Sequence, residues 1–400
     1  MGIFKRLSER DRFGQEVATR IAADNRVASA VYDPDGFKVT VRRHDGAGEG
    51  EVFLGNAFRE REHLDADERR VQLDRLASNV APPPVPTGWA EVRPALRPVL
   101  RQADFGMGHD GIPDVLSRPA QPCLSEFVVI DTPEAMAYPT LRDLDQWGVS
   151  AQEVFAAAHE NLAREFGNLL EERGDPAPAA TDFMGVTHTY LGSLILLEGW
   201  LATWSAGWDR RPLVFVPDQG GMLVVPEPQS PDDLIALLDR EQTRWGEAVR
   251  SISPVAYTLD DAGRVMPYDV PAGHPARDVV RRGWGALASV VYSTQTERLR
   301  AAARPGDPFA AAFSRYGRPG TDTTFTLATW SNDQPTLLPE TEWIAFPQDG
   351  DDEQFFATWE VVAEETGLVP EPGYHPTRYL VSDWPEPAVM SRMRARASTP

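Results

Sequence analysis

Cys123 is the only cysteine of the chain and the first residue to weigh as a nucleophile. A thiol becomes reactive when a neighbouring base or cation lowers its pKa. His109, His159 and His188 are the candidate bases, and no motif ties any of them to Cys123. A small apolar thiol at the start of a strand is the simpler reading. One cysteine also excludes an internal disulfide and a multi-thiolate metal site. The histidines show no ligand spacing, and His159-Glu160-Asn161 lacks the second histidine of a metalloprotease helix. Gly106-Met107-Gly108-His109-Asp110-Gly111 spells a dinucleotide fingerprint. That fingerprint needs a strand before it and a helix opening on it. Here an Arg/Pro-rich stretch precedes it and Pro113 and Pro119 follow, so a loop is expected. Asp349-Gly350-Asp351-Asp352-Glu353 is too compact for an EF-hand and reads as an acidic cap on the next helix. No catalytic residue, cofactor or metal is assigned.

Two constellations could bind without doing chemistry. Trp200, Trp204 and Trp208 recur at helical spacing and would form one stripe. The stripe is either core packing or an exposed aromatic surface, which would mark a binding site rimmed by Arg210 and Arg211. Arg93, Arg97 and Arg101 are also spaced by four, but Pro94 and Pro98 oppose a regular helix. They either pair internally with carboxylates or form an anion site.

The formal net charge is −21 over 400 residues. That charge opposes non-specific attraction to nucleic acid or an anionic bilayer. Between Pro305 and Met390 there are 15 acidic residues against Arg315, Arg318 and Arg378, a balance of −12. This is a solubilising face or a docking surface for a basic partner. No signal peptide precedes the charges at Glu9 to Arg12. The apolar stretch Tyr190–Trp204 is short and contains Glu198. The cytoplasm is the expected location.

The elements that would position these residues follow from apolar spacing and turn chemistry. A helix is expected over 7–24, then a hairpin around Asp33-Pro34-Asp35-Gly36, a strand at 51–54 and a helix over 65–78. Residues 104–122 read as a loop and 127–138 as a hairpin. Ser150 and Glu153 form a capping box for a helix to Phe166. Tyr190–Leu197 reads as a strand, 212–225 as a hairpin, and Ser230-Pro231 as the start of a helix to about Ile252. Val255–Tyr268 is another hairpin. A helix over 276–303, strands near 323–330 and 342–346, a helix over 353–366 and a strand near 378–382 complete the chain. The recurring hairpin–helix unit implies an α+β fold, antiparallel sheets with helices packed on one face. The expected divisions are 1–81, 87–268, an acidic extension at 271–390, and a frayed basic tail at 391–400.

Three stretches resemble a bacterial YtpQ-like family of unknown function. They are Val92-Arg93-Pro94 through Phe105; Phe127 through Leu162, where a hairpin leads into Trp147-Gly148-Val149-Ser150, then Ala158, Asn161 and Leu162; and Phe215-Val216-Pro217-Asp218-Gln219 through Pro226. The resemblance spans about residues 15–268. It implies a shared architecture and a cytoplasmic location, and it supplies no catalytic residue. The balance favours a non-enzymatic protein-interaction role. The alternatives are a hydrolase or transferase with catalytic residues scattered in sequence, and a homodimeric structural protein. Converging Arg93, Arg97, His109 or Asp218 in a pocket would mark the enzyme, and an open aromatic patch around Trp204 the binder.

Overall fold

The computed structural model describes residues 8–44, 49–61, 64–78, 88–105, 115–132, 136–167, 181–183, 189–318, 320–321, 323–332, 334–347 and 354–400. The fold is α+β. The chain forms two compact units, one of residues 1–96 with 129–137 and 146–148, the other of 97–128, 138–145 and 149–400.

In the first unit, α1 (Glu9–Ala22) is capped by the Ser8 side chain and buries Phe13, Val17, Ala18 and Ile21 on one face. It packs on an antiparallel sheet of β1 (Val27–Asp33), β2 (Lys38–Arg43) and β3 (Glu49–Phe53). Strand alternation sends Val39 and Val41 into this core. The helices α2 (Gly55–Arg61) and α3 (Ala66–Ser78) add Ala57 and Leu73 to it. A short α4 (Trp89–Val92) and a 3-10 turn (Arg93–Ala95) follow.

Next along the chain comes a sheet ordered β4 (Leu96–Gln102), β6 (Leu124–Asp131), β5 (Ser117–Gln121). Part of the stretch expected as a loop is thus the strand β5, and it is the hairpin partner of β6. The two-residue β7 (Met136–Ala137) supplies what remains of the expected 127–138 hairpin. The edge position of β4 is what tolerates Pro98 inside it. After α5 (Leu141–Trp147), the expected capping box opens α6 (Ala151–Glu165).

A five-stranded sheet follows, ordered β12 (Val265–Pro267), β11 (Ala256–Leu259), β9 (Pro212–Asp218), β10 (Gly221–Pro226), β8 (Thr181–Asp182). Tyr190–Leu197 does not join it as a strand. Leu191–Leu196 is a 3-10 helix, and a Cβ on Gly192 would lie 2.6 Å from Val216 Cγ1. Only glycine permits that approach. A five-residue α7 (Trp200–Trp204) follows, and α8 (Pro231–Glu247) starts at its expected Ser-Pro cap.

The 26-residue α9 (Arg277–Ala302) leads to two four-stranded sheets. One is ordered β13 (Phe309–Ala310), β16 (Thr336–Pro339), β20 (Arg378–Val381), β19 (Pro370–Glu371). The other is β14 (Ser314–Gly317), β15 (Thr324–Thr329), β17 (Trp343–Phe346), β18 (Phe355–Thr358). The pairs β13/β16 and β15/β17 are parallel, which the hairpin pattern did not foretell. The helix α10 begins at Trp359, capped by the Thr358 side chain, because Phe355–Thr358 is committed to β18. The chain ends in α11 (Pro387–Ala395), and this segment is not frayed. Met393 is fully buried among Phe355, Val361 and Val362, and Arg392 and Arg396 pair with Glu365 and Glu364.

Candidate functional site

The Trp stripe does not form a binding surface. α7 ends at Trp204, so Trp208 lies beyond the helix and the spacing loses its meaning. Trp200 and Trp204 are buried and stack with ring centroids 5.6 Å apart, and Phe183 packs on Trp204. Trp208 is half-buried. Arg210 donates to the Glu227 carbonyl and pairs with Asp209. Apolar area outweighed the aromatic polar handles here.

The Arg cluster is not one face of a helix either. Arg93 lies exposed in the 3-10 turn of the first unit. Arg97 and Arg101 share a face of β4, four residues apart or roughly 13 Å. Arg97 Nε lies 2.5 Å from Glu165 Oε2, so this guanidinium pairs internally. Arg101 is buried, and its Nη1 donates to the Leu100 carbonyl at 2.8 Å.

Two clusters that no motif announced are better formed. In the first, Glu126 on β6 is 3% exposed. Its Oε2 accepts from Arg118 Nε at 2.7 Å, and its Oε1 lies 2.6 Å from His159 Nε2. Arg118 is level with Glu126 across the β5/β6 ladder and lies over the Phe155 ring at 4.2 Å. The cluster clamps α6 onto the sheet. His159 is therefore tied to a carboxylate and not to Cys123. A similar clamp holds Glu241, 1% exposed, between Arg240 and Arg244.

The second cluster surrounds Cys123, which is wholly buried and adopts φ +62° at the β5–β6 turn. Burial pushes its thiol well up, and the nearby Glu340 and Asp104 push the same way. This is the opposite of an activated nucleophile. Burial also raises the Asp104 carboxyl, against a hydrogen bond from Thr294 Oγ1 at 3.2 Å. Burial raises Glu340, whose Oε2 accepts from Tyr379 at 3.3 Å. Tyr379 is itself pushed up to about 12, first by burial and then by Glu340. His375 is lowered by burial, with Nε2 lying 2.9 Å from the Leu124 carbonyl. Neither carboxyl has a cationic partner within ion-pair distance among the described residues.

These shifts carry a testable sign. An acid whose folded pKa is raised binds its proton more tightly in the folded state. Its contribution to stability falls as pH rises from the ordinary carboxylate range through the raised value. Asp104→Asn with Glu340→Gln keeps both acceptors and removes both buried charges. The double variant is expected to melt above the wild type at pH 8 and level with it near pH 4. A wild-type melting temperature that does not respond to the double substitution at pH 8 would refute the assignment.

Several expected features lie outside the described residues: the Gly106–Gly111 motif with His109, His188, and Asp349–Glu353. Asp218 accepts from the Gly220 amide at 2.6 Å and shapes the β9–β10 turn. Among the described residues no group of His, Cys, Asp or Glu could hold a metal ion, and no helix is long and apolar enough to cross a membrane. Sequence reasoning missed Glu126, Arg118, Asp104 and Glu340, because His159, Thr294 and Tyr379, which complete their clusters, come from distant segments. The only sequence signal was an acid or Arg inside an apolar strand, as in Leu124-Ser125-Glu126-Phe127-Val128.

One pair of exposed apolar residues lies elsewhere. The register that pairs Pro370 with Tyr379 brings Val369 level with Leu380 at the β19 edge. Val369 is 72% exposed and Leu380 41%. They belong to the acidic region, whose three arginines include the fully buried Arg378.

No family model, no curated protein and no solved structure matches this chain.

Proposed function

We propose that this chain is a non-enzymatic protein-interaction module that binds a basic segment of another protein through its C-terminal acidic region. The observation that carries this reading is the Val369–Leu380 pair, two exposed apolar side chains, one just before the edge strand β19 and one on the adjoining β20. They lie within a region of formal charge −12. With Arg378 buried, residues 305–390 keep Arg315 and Arg318 as their exposed arginines, while Arg392 and Arg396 from α11 neutralise Glu365 and Glu364. An apolar anchor in a stretch of one sign of charge suits a partner that is basic with an apolar side chain at its centre. The same charge opposes a second copy of this chain and opposes nucleic acid. Membership of the YtpQ-like family and residence in the cytoplasm belong to this proposal. The clamped Glu126 and the deactivated Cys123 favour it over a hydrolase or transferase.

The test uses the full chain as bait in extracts of its native host. Expected is a partner with a Lys/Arg-rich contact segment, mapped by cross-linking to 369–380. Its capture should fall with rising salt and be lost in Val369→Asp/Leu380→Asp. A chain that emerges alone and monomeric, or a partner held equally by the double variant, would sink the reading.

A further inference from the structure

Among the described residues four charged side chains are buried: Arg101, Glu126, Glu241 and Arg378. Three of them are well matched. Glu126 and Glu241 each hold two basic partners. Arg378 donates to Gln295, Thr296 and the carbonyls of Ala311 and Leu337. Arg101 is the exception. It is 7% exposed, and its only hydrogen bond among the described residues is the one to the neighbouring Leu100 carbonyl. A guanidinium carries five N–H donors and stays charged at any working pH. A guanidinium held by one neutral carbonyl keeps donors and a charge that an anion could match.

The local geometry gathers a second donor at the same place. In a β-strand the N–H and C=O of one residue point to the same side. The Leu100 N–H is bound by Ser193 Oγ at 3.3 Å. The Leu100 carbonyl is bound by Arg101 Nη1. Arg101 and Ser193 therefore meet along one side of β4. This is the side away from β6, since Ala103, whose position in the strand alternates with Leu100, donates to the Cys123 carbonyl at the start of β6. Ser193 is 3% exposed, and its hydroxyl accepts from Leu100 while its own hydrogen has no acceptor among the described residues. Gly192, pressed on Val216, fixes the 3-10 helix that presents it.

We infer that the β4 edge at Leu100 is a binding site for a small oxyanion, a carboxylate or phosphate group, held by the Arg101 guanidinium and the Ser193 hydroxyl. The planar fork of arginine takes two oxygens of such a group, and the serine donates to one of them. The site is separate from the acidic docking region, so each can fail alone.

The experiment is titration of the full chain with inorganic phosphate and, separately, with acetate, at fixed ionic strength against a chloride control. The two arms tell a phosphate site from a carboxylate site. One anion is expected to bind saturably and raise the melting temperature by about 2 °C or more at saturation. Arg101→Met should abolish that response and melt at or above the wild type in anion-free buffer, because the uncompensated charge is gone. Ser193→Ala should weaken binding tenfold or more, roughly the worth of one hydrogen bond to a charged group. Should Arg101→Met fail to fold, Arg101→Lys keeps the charge without the fork and must weaken binding. A response no larger than with chloride, or one retained in the Arg101 variants, overturns the proposal.

Discussion

Arg378→Ala is expected to destabilise the second unit by about 3–5 kcal/mol, the range for removing one member of a buried polar network. Arg378 is the largest fully buried side chain among the described residues. Its Nε donates to Gln295 Oε1 at 2.6 Å and its Nη2 to Thr296 Oγ1 at 2.6 Å, both on α9. Its Nη1 bridges the Ala311 and Leu337 carbonyls at 2.8 and 2.9 Å. One side chain thus joins α9, the chain after β13, β16 and its own strand β20. It lies 5.4 Å from the Tyr292 ring centroid, and Tyr292 stacks on Phe313 at 5.3 Å. Burial lowers its pKa to about 10, which still leaves it charged at neutral pH. Alanine would leave four acceptors without this donor and open a cavity beside Tyr292. Arg378→Lys keeps the charge, but one ammonium cannot span four acceptors, so it should fall between alanine and the wild type. Urea unfolding followed by tryptophan fluorescence reads the difference. An alanine variant whose midpoint matches the wild type would show that the network is dispensable.

Arg378 also shows where the sequence was legible and where it was not. The strand around it was readable, since Arg378-Tyr379-Leu380-Val381 alternates between β-compatible residues. That its guanidinium faces inward was not, because its four acceptors come from residues more than forty positions away. The same division holds elsewhere. Ser150 with Glu153 and Ser230-Pro231 marked helix starts correctly, because capping is local chemistry. The 3-10 helix at Leu191–Leu196 was hidden, because an unbroken apolar run has no period of its own and the close contact of Gly192 with Val216 decides it. Trp200, Trp204 and Trp208 had helical spacing without a helix long enough to use it. Spacing is evidence about one element, and a site is an agreement among several. Glu126 with His159 and Leu100 with Ser193 each join segments that no motif links.

Deleting residues 387–400 is expected to cost the chain its C-terminal core, although those residues look like a dispensable basic tail. The deletion removes α11, whose Met393 is 0% exposed and belongs to the cluster of Trp330, Leu338, Ile344, Phe346, Phe355 and Val362. Emptying a methionine-sized site of this kind costs about 2–5 kcal/mol. Charged contacts go with it. Arg392 Nε lies 2.7 Å from Glu365 Oε2, Arg396 Nη2 lies 2.9 Å from Glu364 Oε2, and Arg394 lies 5.0 Å from the Phe355 ring centroid. The exposed ion pairs add little, typically under 1 kcal/mol each. What they do is neutralise two carboxylates in a region that already repels itself. Loss of α11 therefore removes apolar cover and raises the negative charge in one step. Met393→Ala separates the two effects, since it opens the cavity and leaves the arginines. Arg392→Gln/Arg396→Gln does the reverse. The methionine variant should reproduce most of the loss in melting temperature, and the arginine pair only a salt-sensitive fraction. Limited proteolysis supplies the check: wild type should resist cleavage within 355–381, and the truncated chain should be cut there rapidly. Equal resistance in both would mean that α11 rests on a core already complete without it.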